Sequence, residues 1–250
     1  MNPASPTLGR RLLAEFLGTA ALVAVVVGSG IAAAQLSPGD TGLQLLENST
    51  ATVLGLCVLI LVFGPVSGAH FNPAVSVADW WTGRRHRTGL TLPELTAYIL
   101  VQVLGAISGA VLANAMFDLP AGQISSHDRI TTGHLLGEFV ATAGLIVVIF
   151  ALARTGRAAL SATAVAAYIG AAYWFTSSTS STSFANPAVT VGRIFSDTFA
   201  GIAPGSAPGF IAAQILGAAA GLALITLLFP DTPGENEIVV PHNTADQQTT

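Results

Sequence analysis

Asn72-Pro73-Ala74 and Asn186-Pro187-Ala188 are two copies of one tripeptide, 114 residues apart, and each lies deep in an apolar region of the chain. Asparagine is among the best residues for capping the N-terminus of a helix, and proline is favoured at the first helical position. Each copy therefore predicts a helix that begins inside a membrane, where it presents unpaired N–H groups and the positive end of its dipole. Two such helix starts, one in each half of the chain, indicate a pore.

The composition is that of an integral membrane protein. Hydrophobic residues make up 52% of the 250 residues and charged residues only 9%, whereas soluble domains contain about 25% charged residues. All nine basic residues are arginine. The single cysteine, Cys57, lies in an apolar stretch, so an intrachain disulfide is excluded.

Six apolar stretches are long enough to cross a bilayer, which takes about 20 residues. They are 11–34, 50–67, 93–116, 134–154, 159–178 and 208–229. The stretches 72–81 and 186–195, which follow the two asparagines, are left over and are too short to cross. We predict that they are half-helices that enter the membrane and stop. Irregular backbone at that depth is tolerated only where it is buried in protein or lines a wet cavity.

The two halves of the chain repeat each other. Glu15 precedes a phenylalanine as Glu138 does, and the Gln102 motif returns at Gln214. Each half has three spans, an odd number, so the second half is inverted relative to the first, as in many solute pathways. The predicted organisation is a cytoplasmic tail 1–10, a first repeat 11–116, an extracellular-side connecting loop 117–133, a second repeat 134–229 and a disordered cytoplasmic tail 230–250.

The arginines predict the orientation of the chain. Under this topology seven lie on one side of the membrane and two, Arg129 and Arg193, lie on the other, which places both termini in the cytoplasm. The cluster 84–87, Arg-Arg-His-Arg, then faces anionic lipid and is not expected to bind nucleic acid. The absence of lysine and the richness in alanine, glycine and arginine favour a bacterial inner membrane.

The segment 67–75, Ser-Gly-Ala-His-Phe-Asn-Pro-Ala-Val, resembles almost letter for letter the first re-entrant loop of the major intrinsic proteins, the aquaporin and glycerol-channel family. The second tripeptide and the paired glutamate and glutamine sites extend the resemblance over most of the chain. The resemblance implies an all-α, aquaporin-like fold with six transmembrane helices and two re-entrant half-helices in inverted repeats. It also implies assembly as a homotetramer in the lipid bilayer, with one pore in each subunit.

The resemblance further implies a role for each marked residue. Asn72 and Asn186 would cap the half-helices and donate hydrogen bonds to passing water or hydroxyl oxygens, and Pro73, Ala74, Pro187 and Ala188 complete the two pore motifs. The facing helix ends would repel cations and protons at the midplane. Glu15 and Glu138 would accept the backbone N–H groups of the two loops, and His70 would pack in the first loop near the cytoplasmic vestibule.

The chain departs from the family pattern directly after the second tripeptide. Water and glycerol channels usually have arginine there, whereas this chain has Val189, and Arg193 comes a full turn later. Counting from the asparagines places Thr52, Ser183 and Trp174 at the other filter positions. An insertion in the Ser/Thr-rich run before Ser183 would instead shift the last position toward Ala171.

Replacing this arginine removes a charge and several donors, so we expect a wider and more apolar filter with hydroxyl groups left for the solute. Microbial family members that lack the arginine resemble the chain around residues 184–190, and metalloid passage is the role associated with them. The predicted function is a passive channel for water and small neutral solutes, among them glycerol, urea and metalloid hydroxides such as arsenous acid.

Two other functions stay open at this point. Inverted repeats also build ion- or proton-coupled transporters, for which Glu15 and Glu138 are the only candidate protonatable pair. A closed pore with a structural role is the other alternative. An enzyme is not expected, because the five histidines are scattered and no catalytic His and acid accompany the Ser/Thr-rich run. The sequence predicts no metal site and no cofactor.

Overall fold

The computed structural model describes residues 6–84, 88–176 and 184–229, and within these ranges the regular structure is helical. Six helical segments are long and apolar enough to cross a membrane. They are α1 (Leu8–Leu36), α2 (Thr41–Ser67), α4 (Leu92–Met116), α5 (Thr132–Arg154), α6 (Ser161–Phe175, after a 3-10 turn Ala158–Leu160) and α8 (Ala207–Leu228).

Two short helices follow the asparagines. They are α3 (Pro73–Gly83) and α7 (Pro187–Gly192), and α7 continues as a 3-10 turn, Arg193–Phe195. Both pack against α4 and α8. The predicted fold class, six transmembrane helices with two re-entrant half-helices in inverted repeats, is confirmed.

The second transmembrane helix begins nine residues before the predicted start at residue 50. The side chain of Asp40 caps α2 by accepting a backbone N–H at 2.9 Å. Glu47 and Asn48 are polar, but both have partners: Glu47 accepts from the Ser37 hydroxyl at 2.7 Å, and Asn48 donates to a backbone carbonyl of α1 at 2.8 Å. The helix therefore extends beyond the apolar stretch from which its start was predicted.

Some expectations lie outside the described residues. They concern Ser183, most of the basic cluster after α3 and the C-terminal tail from residue 230.

Close helix crossings hold each repeat together. At each crossing a glycine of one helix lies against backbone of another, and a Cβ there would lie far inside contact distance. Gly105 and Gly109 of α4 would meet the carbonyl oxygens of Phe16 and Ala20 at 2.5 and 2.2 Å, and Gly217 and Gly221 of α8 would meet those of Phe139 and Ala143 at 2.3 and 2.6 Å. The same kind of contact thus joins α1 to α4 and α5 to α8.

Candidate functional site

The two asparagines bind each other's loops. The side-chain oxygen of each accepts the backbone N–H two residues further on, which caps its own half-helix. The amide nitrogen of Asn72 donates to the carbonyl of Ala185 at 2.8 Å, and that of Asn186 donates to the carbonyl of Phe71 at 2.7 Å. An asparagine amide carries two N–H groups, so each keeps one beyond this cross-link. The N-terminal ends of α3 and α7 therefore meet.

The carbonyls that accept these bonds belong to residues in a left-handed backbone conformation. Phe71 has φ 49° and Ala185 has φ 46°, a region that costs an ordinary L-residue about 1–2 kcal/mol. Each residue immediately precedes the asparagine of its own motif. The residue before the asparagine thus has the same unfavourable geometry in both halves, Ala69 in the first loop shares it with φ 50°, and neighbouring groups must hold it.

Buried carboxylates hold both loops. Glu15 accepts the backbone N–H groups of His70 at 3.0 Å and Phe71 at 2.7 Å, and also the Ser67 hydroxyl at 2.6 Å. Gln102 donates to the same carboxylate at 2.8 Å and to a serine hydroxyl of α3 at 3.0 Å. The first loop is therefore fixed from α1 and α4 together.

The second half repeats this arrangement. Glu138 accepts the backbone N–H groups of Phe184 and Ala185, both at 2.8 Å. Gln214 donates to Glu138 at 2.8 Å and to the Thr190 hydroxyl at 2.9 Å. The sequence pointed to both glutamates and both glutamines but did not connect them, although their parallel spacing in the two halves was a usable signal.

A cavity runs past the meeting point of the half-helices. It extends along α6 from Ser161 to Tyr173, which corresponds to about 18 Å of helix. Its walls repeat between the halves: Leu22 and Val26 of α1 correspond to Leu145 and Ile149 of α5, and Thr52, Leu56 and Ile60 of α2 correspond to Val165, Ile169 and Tyr173 of α6. Both asparagines, both flanking loops, Val75 and Val189 also line it.

The predicted filter residues fall into three groups. Val189 and Thr52 line the cavity, and the Thr52 hydroxyl lies 3.1 Å from the Tyr173 hydroxyl. Trp174 does not line it: the side chain is 53% exposed and its indole N–H bonds Ser49. Tyr173 lies in the cavity where Trp174 was expected, because neighbouring residues on a helix point about 100° apart. Ser183 lies outside the described residues.

His70 also lines the cavity, in the first loop. Its side chain is buried, and Nδ1 lies 3.0 Å from the Ser76 hydroxyl. Its backbone N–H is bound to Glu15. His70 therefore belongs both to the loop support and to the wall of the cavity.

Arg193 is the lining residue that sequence reasoning set aside. It is fully buried, and its guanidinium carbon lies 3.6 Å from the ring centre of Phe184. Nε donates to the Ala200 carbonyl, while Nη2 is buried with no hydrogen-bond partner among the described residues. The available signal was its spacing from Val189, because residues four apart lie on one face of a helix.

A polar cluster lies in the loops near the end of the cavity that Arg193 lines. Arg129 donates to the carbonyls of Gly201 and Phe199 at 2.5 and 3.0 Å. Burial and, secondarily, the charge of Arg193 lower the pKa of Arg129 to about 9. The Ser206 hydroxyl, which donates to Asp128, holds the pKa of that carboxyl below its usual value.

The sequence matches known proteins along most of its length. The profile of the family described as "Major intrinsic protein" matches residues 3–179. The chain belongs to this family. It is 49% identical over 227 residues to "Aquaglyceroporin AqpS" of Rhizobium meliloti, which covers 90% of this chain and 93% of the relative.

More distant relatives and a solved structure agree with this membership. The chain is 38% identical over 113 residues to the "Glycerol uptake facilitator protein" of Pseudomonas aeruginosa, covering 45% of this chain and 38% of that one. The crystal structure of the aquaglyceroporin from Plasmodium falciparum superposes with a TM-score of 0.63 at 21% identity, over 89% of this chain and 97% of the other. This major intrinsic protein is a multi-pass membrane channel for water and small neutral solutes, and not an enzyme.

Proposed function

We propose that the channel passes neutral solutes larger than water, with glycerol, urea and metalloid hydroxides such as arsenous acid as candidates. The observation that carries the proposal is Val189 in the cavity wall at the position where arginine is usual in the family. Thr52 and Tyr173 supply hydroxyl groups to the same cavity. A filter that combines hydroxyl groups with apolar side chains suits small neutral solutes that form hydrogen bonds.

The midplane of the pathway would exclude ions. Each asparagine keeps one N–H beyond its bond to the opposite loop, and donors at this point favour a neutral oxygen over a cation. A water held by two such donors turns its own hydrogens outward, which interrupts proton transfer along the water chain. Thr52, Tyr173 and Val189 would then select among the neutral solutes.

Passive conduction is favoured over coupled transport by the state of the two buried carboxylates. The oxygens of Glu15 and Glu138 all accept hydrogen bonds from the loops or from glutamine, and neither residue lines the cavity. A coupling site would need a carboxylate that a transported proton or ion can reach. These two act as loop supports instead.

We further propose that both termini face the cytoplasm of a bacterial cell, in its inner membrane, and that the protein is a homotetramer. The arginine distribution supports the orientation. Large apolar side chains on α2 are exposed in the single chain, among them Leu54, Val58 and Leu61, and these suit contact with lipid or with another subunit. Chemical crosslinking in native membranes tests the assembly.

The experiment for the filter is Val189→Arg with Val189→Ile as the matched control. Both proteins are reconstituted in liposomes, and water, glycerol and arsenous acid uptake are measured by stopped-flow light scattering. We expect the arginine to abolish glycerol and arsenous acid flux while water flux persists, and the isoleucine to keep all three. Equal solute ranges for the two variants would remove Val189 from the filter. Exclusion of glycerol and arsenous acid by the wild type would refute the proposed function.

A further inference from the structure

Arg193 is a buried cation in the wall of the solute pathway. It is fully buried, stacks on Phe184 at 3.6 Å and lines the same cavity as Val189 and Tyr173. Burying a guanidinium requires partners for its N–H groups, yet Nη2 has none among the described residues. Arg193 therefore carries an unpartnered donor on a side chain that lines the solute cavity.

The other half of the chain shows what a purely structural residue does at this position. Asp79 lies seven residues after Asn72, as Arg193 lies seven residues after Asn186. Asp79 is buried and accepts the backbone N–H of Leu90 at 2.7 Å, which fixes the segment after α3. Asp79 does not line the cavity. Arg193 anchors the loop after α7 in the same way through Ala200, but it also reaches the cavity wall, so anchoring alone does not account for it.

We propose that Arg193 is a displaced filter arginine, which supplies the outer end of the pathway with a fixed positive charge and a hydrogen-bond donor one helical turn from Val189. This inference rests on the proposed function and refines it. The side chain at position 189 sets the width of the filter, and the guanidinium at position 193 rejects cations and donates to the oxygen of a neutral solute. The solute class is thus neutral molecules with an oxygen acceptor.

Arg193 has no counter-ion in direct contact among the described residues. The buried carboxylate of Glu138 attracts it from a distance, and Arg193 in turn repels the positive charge of Arg129. The two arginines, Arg193 and Arg129, therefore leave an excess of positive charge near the outer end of the pathway. Fields of this kind are strongest in narrow clefts with apolar walls, and the walls here include Val189 and Phe184.

Urea and guanidinium test the charge directly, because they are nearly the same size and shape and differ in charge. Uptake of each at low concentration is measured in liposomes containing the wild type, Arg193→Gln, Arg193→Lys or Arg129→Gln. Arg129 is a matched control, since it is a buried arginine that binds loop carbonyls without lining the cavity. The repulsion between a fixed and a permeating unit charge about 10 Å apart, at an effective dielectric constant of 20, is enough to slow permeation about tenfold.

We expect Arg193→Gln to lower the ratio of urea to guanidinium flux about tenfold and Arg193→Lys to keep the wild-type ratio. Arg129→Gln should change the ratio less than Arg193→Gln does, because Arg129 does not line the cavity. An unchanged ratio in a folded, urea-conducting Arg193→Gln overturns the proposal. If that variant does not fold, the wild type still decides: guanidinium flux comparable to urea flux overturns the proposal. A wild type that passes neither urea nor glycerol refutes the proposed function instead and leaves no solute pathway for Arg193 to guard.

Discussion

Removing the carboxylate of Glu138 should loosen the loop that carries Asn186. In Glu138→Ala the backbone N–H groups of Phe184 and Ala185 lose acceptors at 2.8 Å in a site where both residues are buried. A buried donor left without a partner costs about 1–3 kcal/mol, so the two together cost roughly 2–6 kcal/mol. The left-handed backbone of Ala185 adds to the tendency of the loop to rearrange.

The assay is thermal unfolding of the detergent-purified protein, followed by stopped-flow flux of the same preparations in liposomes. At about 2–4 °C per kcal/mol for a chain of this size, the midpoint of Glu138→Ala should fall by roughly 5–20 °C. Solute flux should fall as well, because the second asparagine is no longer held in place. Glu138→Gln keeps one acceptor oxygen and should lie between the alanine variant and the wild type.

Glu47→Ala is the matched control, since the carboxylate of Glu47 accepts a single side-chain bond from Ser37. We expect its effect to stay below about 1 kcal/mol. The reasoning is refuted if Glu138→Ala melts within 2 °C of Glu47→Ala, a span of about 1 kcal/mol or less, and conducts normally. That result would mean that the loop keeps its conformation without the carboxylate.

Three further outcomes are expected. Gly109→Val should prevent folding or lower the melting midpoint by several degrees, because a Cβ at this position would lie 2.2 Å from a backbone oxygen of α1. Gly64→Ala should leave the midpoint unchanged, because a Cβ there would have nothing within 4 Å. Tyr173→Phe should lower glycerol flux about fivefold, the value of one hydrogen bond, while Trp174→Phe should not alter it. The hydrogen bond of the Ser206 hydroxyl lowers the pKa of Asp128, so it stabilises the loop that contains Asp128 above the ordinary aspartate pKa of about 4 and loses this effect at lower pH. The hydrogen-exchange protection factors of residues 124–130, which are corrected for the intrinsic exchange rate at each pH, should fall at pH 3, and Asp128→Asn should show the same fall at pH 7.

The fold could be predicted from the sequence because its main determinants are local. An asparagine followed by proline specifies a helix start, and a short apolar stretch after it cannot cross a bilayer, so α3 and α7 were found almost to the residue. The apolar pattern does not predict the start of α2, because polar residues such as Asn48 interrupt it. Their partners lie on another helix, and no local pattern reveals them.

The filter was harder to predict because it depends on geometry between segments. Trp174 was chosen by counting back from Asn186, and the count passes through the Ser/Thr-rich run, whose path the sequence does not fix. The repeat offers a better measure: lining residues of α2 and α6 are related by 113 positions, which pairs Ile60 with Tyr173. Comparing the two halves avoids counting across a loop of unknown shape.

The same comparison explains why Arg193 was set aside. Val189 occupies the position where the family usually has arginine, and this position alone predicts a filter without a positive charge. By the internal repeat Val189 corresponds to Val75, and Arg193 corresponds to Asp79. The two valines thus match each other across the halves, while the next turn holds opposite charges, of which only the arginine lines the cavity. Because a side chain as long as arginine can act one turn away from its own backbone position, the absence of arginine at position 189 does not establish the absence of a positive charge in the filter.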